Sequence, residues 1–346
     1  MTLTRADRAY GALLGLAYGD ALSFPADFHR TFQFPAKRRD FLWRTNQELA
    51  QRRVIRLTLP FTHRIAPETL APFPTDDTEY AVFAAQTLLA HAGEPTAADF
   101  AQAWRERILP LDGEVLTGFS ERAALDNLAR GLEPPATGND NPQHYDDSAA
   151  CRAVSIGLRF AGEPARAARV AAADASVTNA EDGVYAARAM GAAIAALADG
   201  SPIGEALSLG RAEFPADSWI TRGEDVAQAC LAETTGVADL ILALRLRLIN
   251  TVYSYGNAAP ETLPAAFALT ERCSGDVQSS ILAALAIPKS ADSLPALVGA
   301  LCGAAQGSAP FSPSWRAQLD VCRGLCLPVV KDVRLSAIAA ALAGAS

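Results

Sequence analysis

Apolar residues recur at three- and four-residue spacing along most of the chain. The windows 8–22, 79–89, 97–108, 150–160, 164–173, 181–197, 226–232, 264–271, 277–285 and 294–305 each carry an apolar stripe of helical period. Alanine is the commonest residue in most of them, which combines the best helix propensity with a side chain small enough for close helix packing. Strict alternation is rare. The window 54–59 (VIRLTL) is its best example, and it is balanced between strand and non-strand. The pattern predicts an all-α, compact multi-helix fold with short polar or Gly/Pro connections. No composition shift marks a linker and no fixed-period repeat is visible, so 1–346 reads as a single domain.

Two stretches depart from the helical pattern. Residues 29–74 interleave Lys37, Arg38, Arg39, Arg44, Arg52, Arg53 and Arg56 with Phe32, Phe34, Phe41 and Trp43. Such an insert either covers a neighbouring site or packs its aromatics onto the core while its cations stay solvated. Residues 133–147 (EPPATGNDNPQHYDD) cannot continue a helix and predict a loop. His29 and His63 stand alone in sequence and read as satisfied or exposed histidines.

Composition narrows the function classes. Acidic residues outnumber Lys+Arg by 38 to 30, and the formal charge of −8 gives no electrostatic footprint for nucleic acid or for an anionic membrane. The best apolar run, 12–22, is broken by Asp20, and the run at 335–343 is shorter still, so neither spans a bilayer. Arg5, Asp7 and Arg8 stand where an export signal needs apolar residues. The six cysteines form no C-x-x-C pair and read as buried free thiols, an expectation of a reducing cytoplasm.

Three helix ends carry short oxygen side chains. Thr75-Asp76-Asp77-Thr78 opens an apolar helix, Lys289-Ser290-Ala291-Asp292-Ser293 opens another, and Gly19-Asp20-Ala21-Leu22 ends the first helix before Pro25-Ala26-Asp27. Adjacent carboxylates flanked by hydroxyls suit a hard divalent cation such as Mg²⁺. The competing reading is helix capping, in which the same oxygens accept the free N–H groups of the first turn. Asp146, Asp147 and Ser148 close the 133–147 loop, either as ligands for ribose hydroxyls or a cationic leaving group, or as a solvated acidic cap of the next helix. Tyr255-Gly256 is a candidate wall, where a tyrosine face beside a glycine lets a base or sugar stack against the backbone.

Taken in order, these pieces resemble the ADP-ribosylglycohydrolase family. GALLGLAYGDALSFPADF is similar to the family's first helix and acidic turn, PTDDTEYAVFAAQTLL to its first metal motif, and SADSLPALVGALCGA to its second. The long segment from AACRAV to MGAAIAAL resembles its central helices, PETLPAAFAL its last substrate-side helix, and the likeness covers most of 8–316. The resemblance implies an all-α fold around a central metal cleft holding Mg²⁺, and hydrolysis of a ribosyl glycosidic bond. It implies metal ligation by Thr75, Asp76, Asp77, Asp292 and Ser293, with Asp76, Asp77 or Asp27 as the catalytic base. It further implies substrate contacts from Asp146, Asp147, Ser148, Asn179, Tyr255 and Gly256.

Departures from the family pattern bear on that reading. Ser290 replaces the first carboxylate of the Asp-Thr-Asp-Thr motif, so a second metal site loses a negative charge. Asp27 replaces a glutamate, Asn179 a histidine, and His144–Ser148 a Gly-Asn-Gly. Three functions stay open at this point. One is removal of ADP-ribose from a modified protein or small molecule. Another is hydrolysis of a nucleoside-like N-riboside without a diphosphate. The third is a catalytically silent member that binds an ADP-ribose-like ligand or serves as a scaffold.

Overall fold

The computed structural model describes residues 3–27, 73–111, 113–250 and 255–344. The basic, aromatic insert falls outside them up to residue 72, as do His29, His63 and the 54–59 window. Among the described residues the regular elements are helices: α1 (Arg5–Asp27), α2 (Asp76–Ala90), α3 (Ala97–Arg107), α4 (Phe119–Ala129), α5 (Ala136–Asn139), α6 (Ser148–Arg159), α7 (Pro164–Ala175) and α8 (Asp182–Asp199). The order continues with α9 (Ile203–Arg211), α10 (Trp219–Glu233), α11 (Val237–Arg247), α12 (Ala259–Arg272), α13 (Val277–Leu285), α14 (Ser293–Gln306), α15 (Pro313–Leu319) and α16 (Leu335–Gly344). The all-α expectation therefore holds, and every predicted helical window that is described lies on a helix.

Two corrections follow. The first helix does not stop at Asp20–Leu22 but runs through Pro25 to Asp27. Helices α4, α5, α9, α11, α15 and α16 were not anticipated, and α5 is a short helix inside the 133–147 stretch whose composition predicts a loop. In α11 the buried residues are Leu240 and Leu244.

The central contact is α1 against α14, and glycine makes it. Gly11, Gly15 and Gly19 recur every four residues and so share one face of α1. They meet Gly303, Gly299 and Pro295 in antiparallel order. A Cβ on Gly15 would stand 1.9 Å from the Gly299 carbonyl oxygen, and one on Gly299 would stand 2.0 Å from that of Gly15. Backbone thus lies directly on backbone, leaving no room for any side chain at the crossing. The crossing carries Asp20, one residue past Gly19, to the start of α14, where Asp292 and Ser293 lie. Helices α6, α7 and α8 complete the core, with Val154, Ile156, Val170, Met190 and Ile194 fully buried among alanines.

Candidate active site

Three helix starts, those of α2, α6 and α14, converge on one acid-lined region. Thr75, Asp147 and Asp292 occupy their N-cap positions, and none of the three side chains caps its own helix. The capping alternative therefore fails for these three side chains, while Asp146 Oδ1 accepts from the Ser148 N–H at 3.3 Å at the start of α6. The oxygens of Thr75, Asp147 and Asp292 are withheld from the use that would most readily satisfy them.

Asp20 supplies the missing cap of α2 from another helix. Its carboxylate is buried and accepts hydrogen bonds from the Thr75 N–H at 2.8 Å, the Thr78 N–H at 3.1 Å and the Thr78 hydroxyl at 2.6 Å. The Thr75 hydroxyl donates to it as well, which leaves the lone pairs of that oxygen free. Burial still pushes the Asp20 carboxyl up to about 6 against these four bonds. Asp20 thus sets the register of α2 and with it the aim of Asp76 and Asp77.

Asp76 and Asp77 are partly exposed yet surrounded by other acids. Burial, then the charges of Asp292 and Asp20, push Asp76 up to about 7. Asp77 is raised further, by burial first and then by Asp76, Asp20, Asp292 and Asp147. Asp147 is fully buried and neither carboxyl oxygen has a well-formed hydrogen bond, although the hydroxyls of Thr262 and Ser293 lie close by. Burial and the charge of Asp146 raise it well above the ordinary carboxylate range. Asp292 accepts a hydrogen bond from the Asn257 side chain at 3.0 Å, and the same amide reaches Ser293 Oγ at 3.3 Å. Ser290 is fully buried and its hydroxyl is also without a partner.

Asp146, Ser148 and Asn179 are brought to the site but are already engaged with one another. Asp146 Oδ1 accepts from Asn179 Nδ2 at 2.8 Å and from the Ser148 hydroxyl at 3.0 Å, while Oδ2 accepts from the Tyr255 hydroxyl at 3.0 Å. Asn179 also accepts from the Thr178 hydroxyl at 2.6 Å. These residues form the frame behind Asp147. Paired backbone reinforces it: the Asp147 N–H donates to Asn257 and the Ala259 N–H to Tyr145. Gly256 is required here, because a Cβ would lie 2.3 Å from the Lys289 carbonyl oxygen. Asp27 closes α1, and its side chain lies outside the described residues.

Tyr255 begins an aromatic strip. Its ring lies 5.9 Å from Phe119 and 6.4 Å from Tyr145, which in turn lies 5.5 Å from Trp219. Phe119 is 66% exposed, so the strip ends in an open apolar face. Trp219 and Glu181 also line a surface cavity of about 450 Å³.

Behind Asp146 lies a second ionic cluster that sequence reading missed. Arg152 is fully buried, with Nε 2.8 Å from Asp174, one terminal nitrogen 2.6 Å from the Thr178 hydroxyl, and the other 3.5 Å from Glu121. Burial, then the charge of Asp146, push Glu121 up to about 7, although Arg152 works the other way. Glu79, also missed, is buried in α2 and accepts three consecutive backbone N–H groups, those of Leu325, Cys326 and Leu327, at 3.0, 2.8 and 2.7 Å. An Arg inside the apolar 150–160 window, and a Glu three residues after Asp76, were the available signals, since neither charge suits an apolar face without a partner.

Three helix starts thus gather uncapped carboxylates and hydroxyls in an all-α frame. The chain belongs to the ADP-ribosylglycohydrolase family, whose model matches residues 1–345. Membership indicates glycohydrolase activity on ADP-ribose-type substrates. Among solved structures, one described as an ADP-ribosylglycohydrolase-related protein complex is similar at 22% identity and a TM-score of 0.62, covering 99% of each chain, which supports the fold. No curated protein matches the chain. No helix among the described residues is long and apolar enough to cross a membrane.

Proposed function

We propose that this protein is a Mg²⁺-dependent hydrolase that removes ADP-ribose from a modified protein or small molecule. The observation that carries the reading is Asp147. Two buried carboxylate oxygens without a well-formed hydrogen bond, beside Asp76, Asp77 and Asp292, form an arrangement that a hard cation would complete. Thr75, Asp76, Asp77, Asp292 and Ser293 are the residues that would hold such an ion, all of them hard oxygen donors. No group of three or more His, Cys, Asp or Glu side chains among the described residues is already gathered on a metal point, so hydroxyls, water and substrate oxygens would fill the remaining positions.

Mg²⁺ held by these residues would supply Lewis acidity toward oxygens of the substrate and of water. The protein side of the reaction belongs to the carboxylates. Asp76 or Asp77 accepts the water proton at a carboxylate oxygen, and neighbouring acids stabilise positive charge developing at the anomeric carbon. Asp146 acts through Tyr255, holding the ring that flanks the cleft. The aromatic strip offers stacking surface to a flat group on the substrate. Six free cysteines, five of them buried, fit a reducing cytoplasm.

The test is a hydrolysis panel of ADP-ribosyl-arginine, ADP-ribosyl-serine, O-acetyl-ADP-ribose and simple N-ribosides, with and without Mg²⁺. Metal-dependent cleavage of an ADP-ribosyl substrate supports the proposal. Cleavage of N-ribosides alone replaces it with the diphosphate-free reading. A silent, ligand-binding protein is the other alternative, favoured by the orphaned Ser290 hydroxyl where the family carries a carboxylate. Activity that appears only in Ser290→Asp would establish it.

A further inference from the structure

The acid cleft is hostile to an anion. Asp20, Asp76, Asp77, Asp147 and Asp292 line it. Among the described residues, Arg152 is committed to Asp174 and Glu121, and Lys289 to Glu261 at 2.9 Å. A phosphate on the substrate calls for a cation outside those pairs. The loop 321–327 provides one.

This loop is fastened to the helix that carries Asp76 and Asp77. Glu79 grips its three consecutive N–H groups, and the Cys326 carbonyl accepts from the Leu116 N–H at 2.9 Å. Gly324 turns the chain at φ 65°, packed against the backbone of Lys331. Glu79 follows Asp76 and Asp77 on the same first turn and a half of α2, so its three bonds hold the loop beside the acid cleft. Arg323 stands in this loop, exposed, with its guanidinium carbon 4.3 Å from the centre of the Phe73 ring. Phe73 precedes Asp76 by three residues, at most about 11 Å of chain. Arg323 pairs with no carboxylate of the described residues. A guanidinium stacked on an aromatic ring is held in one plane while its N–H edges stay free, which is the preparation that bidentate recognition of phosphate requires.

We infer that Arg323, parked on Phe73 and positioned by the Glu79-bound loop, recognises a phosphate group of the substrate and so selects phosphorylated ribosyl compounds over simple ribosides. The inference rests on the ribosyl-hydrolase reading above and adds to it a specificity residue. Its test is calorimetric binding of ADP-ribose and of adenosine, with Mg²⁺ present, to the wild type, Arg323→Gln, Arg323→Lys and Phe73→Leu. Charge-assisted contacts of this kind predict that Arg323→Gln weakens ADP-ribose binding by about tenfold or more and leaves adenosine binding within twofold. Arg323→Lys retains charge without the planar fork and falls between, and Phe73→Leu follows it. Added salt weakens ADP-ribose binding more in the wild type than in Arg323→Gln.

Three outcomes overturn the inference. ADP-ribose affinity unchanged in Arg323→Gln assigns phosphate recognition elsewhere, with the hydrolase reading intact. Parallel losses for ADP-ribose and adenosine reveal a collapsed rim, which a thermal melt of the same variant identifies. A wild type that binds no ADP-ribose at millimolar concentration removes both the inference and the ADP-ribosyl reading on which it stands.

Discussion

Two buried groups of carboxylates share one helix and are treated in opposite ways. Around Arg152 the fold supplies its own counterion: Asp174 and Glu121 face a guanidinium that also lies 5.5 Å over the Trp104 ring. At the N-cap of α6, around Asp147, the acids face one another with no cation of the described residues among them. Burial costs both groups the same kind of desolvation energy. Only the first offsets it internally. The second group is a standing electrostatic debt of the folded state, and such a debt is the mark of a place where a ligand belongs.

The comparison fails most visibly if Arg152 is not the internal counterion. Arg152→Met removes it and leaves two buried acids uncompensated, so urea unfolding should show a loss of about 3–5 kcal/mol. A loss under 1 kcal/mol would mean that Asp174 and Glu121 are neutral or hydrated, and the contrast with the cleft would vanish.

The complementary change is in the cleft. Asp77→Asn should lower metal-dependent hydrolysis by about a hundredfold or more, as expected for loss of a general base or metal ligand. Its thermal midpoint should hold or rise, because one of several mutually repelling carboxylates is gone. A variant that loses stability as Arg152→Met does would place Asp77 in the frame instead of the site.

A third measurement sharpens the boundary between the two groups at Glu121. Its carboxyl is raised to about 7, by burial first and by Asp146 next. A raised folded pKa means that the folded state holds the proton more tightly than the unfolded chain. That advantage is fully present below the unfolded value near 4.5 and is lost as pH rises through about 7. Wild-type stability should therefore fall by about 2 kcal/mol from this group between pH 5 and pH 8. Glu121→Gln should flatten that slope over the same window, read from denaturant midpoints. An unchanged slope would show Arg152 already holding Glu121 ionised.

Much of this was legible in the residues. Helical period located the helices, and the Thr75-Asp76-Asp77 and Asp292-Ser293 clusters at helix starts located the acids that the fold brings together. The reading of Asp20 as a helix end failed because it weighed only local turn signals. The tertiary crossing decides the matter: the Gly11, Gly15, Gly19 stripe clamps α1 onto α14, and Asp20 beyond it caps α2 across space. Glu79 and Arg152 were passed over for a similar reason. Each looks like an odd charge on an apolar helix until a partner distant in sequence arrives.

Ser290 offers the finest test of the contrast, since it asks whether the cleft's deficit of cations is already tuned. Where the family carries a carboxylate, this chain has a buried hydroxyl with no partner. Fewer acids mean less repulsion in the metal-free protein and less attraction for a second ion. Ser290→Asp should therefore lower the melting temperature without Mg²⁺ and recover it with Mg²⁺. At a concentration one hundred times the dissociation constant, a ligand that binds only the folded state adds about 2.7 kcal/mol. The wild type should gain from Mg²⁺ as well, through Asp76, Asp77 and Asp292, but with a smaller difference between the two conditions. Equal responses would mean that Ser290 lies outside the reach of any bound ion. A wild type indifferent to Mg²⁺ would mean that the acids of the cleft await a cation carried by the substrate itself.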